Sequence, residues 1–209
     1  MAIFLYNNYM TIKVLFLIFL STSFLVAYET PQTLYTDNKY YITFGEVEFN
    51  KPIDEIAIIL LKYNDYSKWA LDGMQGIDKE SEGLIAYFTN IEYSSEQDSF
   101  IVSFDINLVW PFGSKDNKIN FRPVQIFDNN GELVSITLIP EEEIKMFKEV
   151  IIEIGIKERG EGTTSLNYLA KIKFSGFLDF CFNLKSYKKN FEWYIFKLTD
   201  NLTKYLRAG

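Results

Sequence analysis

An α+β fold is what this sequence predicts, and three observations carry it. From Leu84 to Phe174 the apolar residues recur with a period of two, the spacing of half-buried strands. Asn129-Asn130-Gly131 and Gly160-Glu161-Gly162 interrupt that stretch with residues that tolerate positive φ, as antiparallel hairpins require. Beyond it, Phe191, Ile195, Leu198, Leu202 and Tyr205 step by four and three, which marks a long C-terminal helix with one apolar stripe. Lys204 and Arg207 suit the negative end of that helix.

Residues 1–27 read as a leader, with Lys13 the only charge before the run Val14 to Ala27. Its apolar stretch is shorter than the roughly 20 residues a membrane-spanning helix needs. Small side chains at Ser21, Thr22 and Ser23 favour processing, here after Ala27, over retention as an anchor. Met10 could equally serve as the start, and Cys181 is too distant for a lipoprotein signal. The expectation is an exported protein, periplasmic or secreted, whose residues 28–209 form one domain.

Within that domain, Tyr40–Phe49 alternates, with Tyr41, Thr43, Gly45, Val47 and Phe49 on one face and Glu46 and Glu48 on the other. Asn50-Lys51-Pro52 predicts a cap and a first-turn proline for a helix of about three turns that carries Ile56, Ile59, Leu60 and Tyr63. Turn-forming residues in Asn64-Asp65-Tyr66-Ser67-Lys68-Trp69 break it, and a short second helical turn then carries Trp69. In the strand region Ile85, Tyr87, Ile91 and Tyr93 are expected to share a face. Phe100, Val102, Phe104, Ile106, Leu108 and Trp110 form the cleanest amphipathic strand. Two further strand pairs flank the hairpin signals: Ile119–Phe127 with Leu133–Ile139, and Val150–Lys157 with Leu166–Phe174. Glu141-Glu142-Glu143 after Pro140 is either the acidic first turn of a short helix or a charged loop, with a metal site the weaker reading.

Composition narrows the function. A net charge of −7 and a pI near 4.8 argue against a nucleic-acid partner, whose phosphates need a basic footprint. With 48% hydrophobic and 17% aromatic residues, the chain has a surplus of rings to bury, which excludes disorder. There is no histidine, so Ser-His-Asp and Cys-His arrangements cannot form, and zinc sites lack their usual ligands. No Gly-rich phosphate loop is present. Cys181, the single cysteine, cannot make an internal disulfide and, between Phe180 and Phe182, reads as core. Glu46, Glu48 and Asp105 read as solvated charges on outward strand faces. Asn201-Leu202-Thr203 matches a glycosylation pattern but falls inside the helical stripe and is discounted. No catalytic residue, metal ligand or cofactor is assigned.

The order of strand, helix, broken helix, antiparallel strands and long terminal helix resembles the START-related superfamily (SRPBCC, polyketide cyclase-like). The likeness runs from about Tyr40 to Leu206. It rests on Tyr63-Asn64-Asp65-Tyr66-Ser67-Lys68-Trp69, and on Lys171-Ile-Lys-Phe-Ser-Gly-Phe-Leu-Asp-Phe leading into Trp193 and the final helix. Pro140–Lys148 departs from the family's pattern. The resemblance implies a helix-grip fold: a curved antiparallel sheet of about seven strands around the C-terminal helix, with a cavity for a lipid or other apolar molecule. On that reading Trp69, Phe104, Trp110, Phe174 and Trp193 are the ligand-binding candidates, since tryptophan and phenylalanine supply most of the wall of such cavities. The same aromatics could instead fill an ordinary core. An enzyme of cyclase or hydrolase kind, working through tyrosine, aspartate or glutamate in the cavity, is the alternative, as is a surface protein using the fold as a scaffold. Oligomeric state and peripheral contact with a membrane are left open.

Overall fold

The period-two segments pair into one eight-stranded antiparallel sheet. A computed structural model describes residues 31–74, 86–107, 113–160 and 162–208. The leader expected over 1–27, and Leu108 and Trp110, lie outside the described residues. The strands are β1 (Gln32–Tyr35), β2 (Tyr41–Phe49), β3 (Ala86–Ser94), β4 (Ser99–Ile106), β5 (Ser114–Phe127), β6 (Leu133–Pro140), β7 (Phe147–Gly160) and β8 (Thr163–Phe174). Their order is β1-β2-β8-β7-β6-β5-β4-β3, so β3 to β8 form a meander and β2 returns to pair with the last strand. The segment after β2 therefore spans from one side of the sheet to the other, and this crossing carries two helices, α1 (Ile53–Leu60) and α2 (Tyr66–Trp69). After β8 come α3 (Gly176–Cys181), α4 (Leu184–Tyr187), a π-helical turn at Lys188–Glu192 and α5 (Trp193–Ala208).

This is the expected α+β helix-grip architecture, with differences that have physical causes. The sheet has eight strands rather than about seven, because the four-residue β1 is too short to show a period. Pro52 is the N-cap of α1, and Tyr63 has left the helix for a 3₁₀ turn. A bulge between Phe88 and Asn90 resets the alternation of β3. Ala86, Phe88, Ile91 and Tyr93 consequently pair with the inward residues Ile106, Phe104, Val102 and Phe100, whereas Tyr87 pairs with Asp105, out of register with Ile91 and Tyr93. The region after Pro140 is neither helix nor strand: the Glu141 amide bonds to the Asn120 carbonyl at 3.0 Å, and Arg122 pairs with Glu141 at 3.2 Å. Among the described residues no helix is long and apolar enough to cross a membrane, which says nothing of a β-barrel.

The hairpin signals behave as their chemistry requires. Gly131 adopts φ +82° at the β5–β6 turn, and the Asp128 carboxylate accepts from the Asn130 and Glu132 amides. The inward faces of β2, β4, β7 and β8, together with α1, α2 and α5, bury one continuous hydrophobic core. Phe182 belongs to it, but Phe180 is 86% exposed and Cys181 only half-buried, so the core reading of that tripeptide holds at one end. Asn201 is 5% exposed and its amide donates to the carbonyls of Ala70 and Asp72, at 3.2 and 2.8 Å. The side chain that matched a glycosylation pattern thus ties α5 to the end of α2.

Candidate functional site: an apolar cavity under the terminal helix

Between the sheet and α5 lies a cavity of about 220 Å³. Its floor comes from alternate residues of several strands, among them Val47 of β2, Val102 and Phe104 of β4, Ile152 and Ile154 of β7, and Tyr168 and Ala170 of β8. Its roof is the stripe of α5, with Tyr194, Ile195, Leu198 and Leu202, and Trp69 and Ala70 of the α2 region close one flank. The strand period of two and the helix period of 3.6 aim these side chains at one space. Among the described residues, no carboxylate, ammonium or guanidinium lines the cavity.

Among the described residues, the hydroxyls and the side-chain amide on the wall have partners in the protein. Thr199 and Thr203 donate back to the carbonyls of Ile195 and Thr199, both at 2.8 Å, as hydroxyls within helices do. Tyr66 donates to the Leu60 carbonyl at 2.9 Å. Asn190, on the π-helical turn, accepts from the Ala86 amide at 3.2 Å and donates to the Ser186 carbonyl at 2.8 Å. Burial pushes the Tyr168 phenol up to about 12, against a hydrogen bond with Thr199 and with the charge of Glu192 adding to the rise. Tyr194 is likewise pushed up to about 12 by burial, opposed by its bond to the Phe88 backbone. Both phenols stay neutral across the physiological range.

A second aromatic group lies beside the cavity and is solid. Tyr41 stacks on Tyr187 at 4.3 Å, Phe174 on Phe182 at 4.5 Å, and Tyr187 on Phe191 at 5.4 Å. A chain of hydroxyls runs through it. Thr33 gives its only hydrogen to Glu192, so Thr43 donates to Thr33 at 2.9 Å and Tyr187 to Thr43 at 3.0 Å. This directed chain binds β1, β2 and the end of α4 to the π-helical turn, and so sets where α5 begins.

The five residues expected at the site are distributed between these regions. Trp69 and Phe104 line the cavity. Phe174, 1% exposed, belongs to the solid group instead, held between Phe182, Tyr41 and Phe147. Trp193 packs edge-on against Tyr194 at 4.8 Å, in a small cluster with Leu71 and Met74 and away from the cavity wall. Trp110 lies outside the described residues. Sequence reasoning passed over Tyr168, Ile152, Ile154 and Ala170; their period-two placement on β7 and β8 was visible, but nothing marked them apart from ordinary core.

The fold and cavity define the class: this chain has a START-like helix-grip fold, and solved structures agree. A START superfamily protein from Mycobacterium smegmatis superposes with a TM-score of 0.51 at 10% identity, over 80% of this chain and 97% of that one. A conserved protein from Geobacillus kaustophilus gives 0.51 at 14% identity, over 80% and 95%. Norcoclaurine synthase from Thalictrum gives 0.49 at 12% identity, over 85% and 97%. No family model and no curated protein matches the sequence.

Proposed function

We propose that this chain is an exported, periplasmic or secreted, binding protein for a lipid or other apolar small molecule, held between the sheet and α5. The observation that carries the reading is the cavity itself: about 220 Å³ of space lined by apolar side chains, with the wall hydroxyls and the side-chain amide among the described residues engaged by the protein. Such a space favours an apolar guest, because burying a charge without a partner is strongly unfavourable. A cavity enzyme would call for a carboxylate of raised pKa facing the guest. Burial does push Glu153 up, but Glu153 alternates with the cavity residues Ile152 and Ile154 and so points to the other face of the sheet.

Protein purified from its own host, examined by native mass spectrometry and solvent extraction, is expected to carry a stoichiometric hydrophobic compound. Absence of any retained compound, with no uptake of uncharged hydrophobic probes from benzene to a sterol, would refute the binding role. Cell fractionation tests export separately: full-length protein confined to the cytoplasm refutes that part alone.

A further inference from the structure

Gly45 sits opposite Tyr168 in the β2–β8 ladder, and both face the cavity side of the sheet. The end of the phenol occupies the space over the glycine, and its hydroxyl is bonded to Thr199 of α5. A Cβ placed on Gly45 would fall inside the Tyr168 hydroxyl and Cζ, and 3.0 Å from Cε1. The φ of this glycine is not in the left-handed region, so the position needs glycine for space rather than for conformation. With any larger residue at 45 the end of the ring has to move from its place, and the ring is part of the cavity wall. The Gly45–Tyr168 crossing therefore sets how deep the cavity is.

The volume and the wall then define the guest. A cavity of about 150 Å³ accommodates benzene, whereas sites for drug-sized ligands begin near 300 Å³. Scaling from benzene, about 220 Å³ takes roughly nine or ten non-hydrogen atoms. A sterol or a whole phospholipid is more than twice that. Because no charged side chain among the described residues lines the space, a carboxylate or ammonium on the guest would find no partner on that wall.

Resting on the binding role proposed above, we infer that the ligand is a compact, uncharged hydrocarbon-like molecule of bicyclic or ten-carbon size, and that Tyr168 lying over Gly45 is the device that enforces this size. The phenol is the movable boundary; the glycine is what lets it stay in place.

The test compares naphthalene, decan-1-ol, decanoate and hexadecan-1-ol by calorimetric titration at pH 7 on the wild-type chain and three variants. Naphthalene and decanol are expected to bind the wild type, with hexadecanol at least about tenfold weaker on size and decanoate at least about a hundredfold weaker on charge. Gly45→Ala should weaken naphthalene at least about tenfold by displacing the ring. Tyr168→Ala should let hexadecanol bind at least about tenfold tighter than in the wild type, and Gly45→Ala combined with Tyr168→Ala should recover naphthalene binding, which separates a blocked cavity from a misfolded chain. Wild-type protein that binds hexadecanol or decanoate as well as naphthalene overturns the inference and leaves the binding role standing. A size preference unmoved by Tyr168→Ala, or a double variant that does not recover, overturns the Gly45–Tyr168 device. Binding of none of the four by any form overturns the inference, and overturns the binding role as well if the purified protein also retains no hydrophobic compound.

Discussion

Around Tyr187 the aromatic rings close on one another, whereas beside Phe104 and Tyr168 they leave a space. Both regions draw on the same residue types and face the same sheet, so the aromatic surplus does not decide which becomes a cavity. The partner does. In the solid region Phe174 meets Phe182 and Phe191, rings carried on the short α3–α4 segment and the π-helical turn, which can follow the sheet closely. Over the cavity the curved sheet meets a single helix, α5, whose Ile195, Leu198 and Leu202 line the space without filling it. A cylinder laid on a concave surface leaves volume wherever the side chains are too short to fill it.

The contrast is broken most severely by truncating a ring on each side. Phe174→Ala removes a ring in contact on all sides and is expected to destabilise the protein by about 3–5 kcal/mol. Phe104→Ala should cost about 1–2 kcal/mol less, because atoms at the edge of a void already lack contacts on one side. Urea denaturation of both variants checks this, and equal losses would mean that the cavity closes in solution.

A smaller effect of opposite sign is expected from filling the space. Ala170 is a buried cavity residue of β8, opposite Thr43 and Ile152, and Ala170→Val extends two methyl groups toward the void. Its expected outcome is a gain of about 1 kcal/mol in unfolding free energy with weaker uptake of naphthalene. Next to the solid region Leu178 is buried on α3, where its carbonyl accepts from the Phe182 amide, and the corresponding enlargement, Leu178→Phe, should destabilise by about 1–3 kcal/mol.

The smallest effect sharpens the comparison by setting surface against interior. Glu149 accepts from Lys171 at 2.6 Å and from Tyr40 at 2.7 Å, and these bonds outweigh partial burial to hold its carboxyl below the usual value of 4.5. A folded-state pKa below the unfolded one adds stability that is fully present above the usual value and is lost as pH falls through the lowered one. Lys171→Gln should therefore lower stability near neutrality by at most about 1 kcal/mol, with the difference from wild type vanishing on acidification below about pH 4. Denaturation curves across that range provide the check; a difference that persists in acid assigns Lys171 a packing role instead.

Where pattern and geometry share a cause, the sequence was legible. The alternation of β2, and of β4 as far as Ile106, put the apolar residues expected there on the inward face, although Ser103 of the opposite face is buried too. The stripe Ile195, Leu198 and Leu202 did become the face that α5 turns to the sheet. Legibility failed at β3, where the bulge after Phe88 put Tyr87 out of register with Ile91 and Tyr93 through one unpaired residue, and at Phe180, where two phenylalanines flanking a cysteine suggested a core and only Phe182 entered it. At the cavity, Trp69 and Phe104 were identifiable as large rings on inward positions. Phe174 and Trp193 met the same criteria and pack elsewhere, because the choice between wall and core depends on what lies opposite.

Local periodicity, turn chemistry and the absence of histidine were thus enough to establish an α+β chain with antiparallel strands, a terminal amphipathic helix and no histidine-based catalysis. Those are properties of neighbouring residues, and covalent spacing enforces them. The cavity is not such a property: its position depends on how far a helix near residue 200 stands from strands as distant in the chain as β2, and its depth on Tyr168 finding a glycine across the ladder at position 45. Only tertiary packing brings those partners together, because the contacts that leave space are set by distance in three dimensions and leave no trace in the order of the chain.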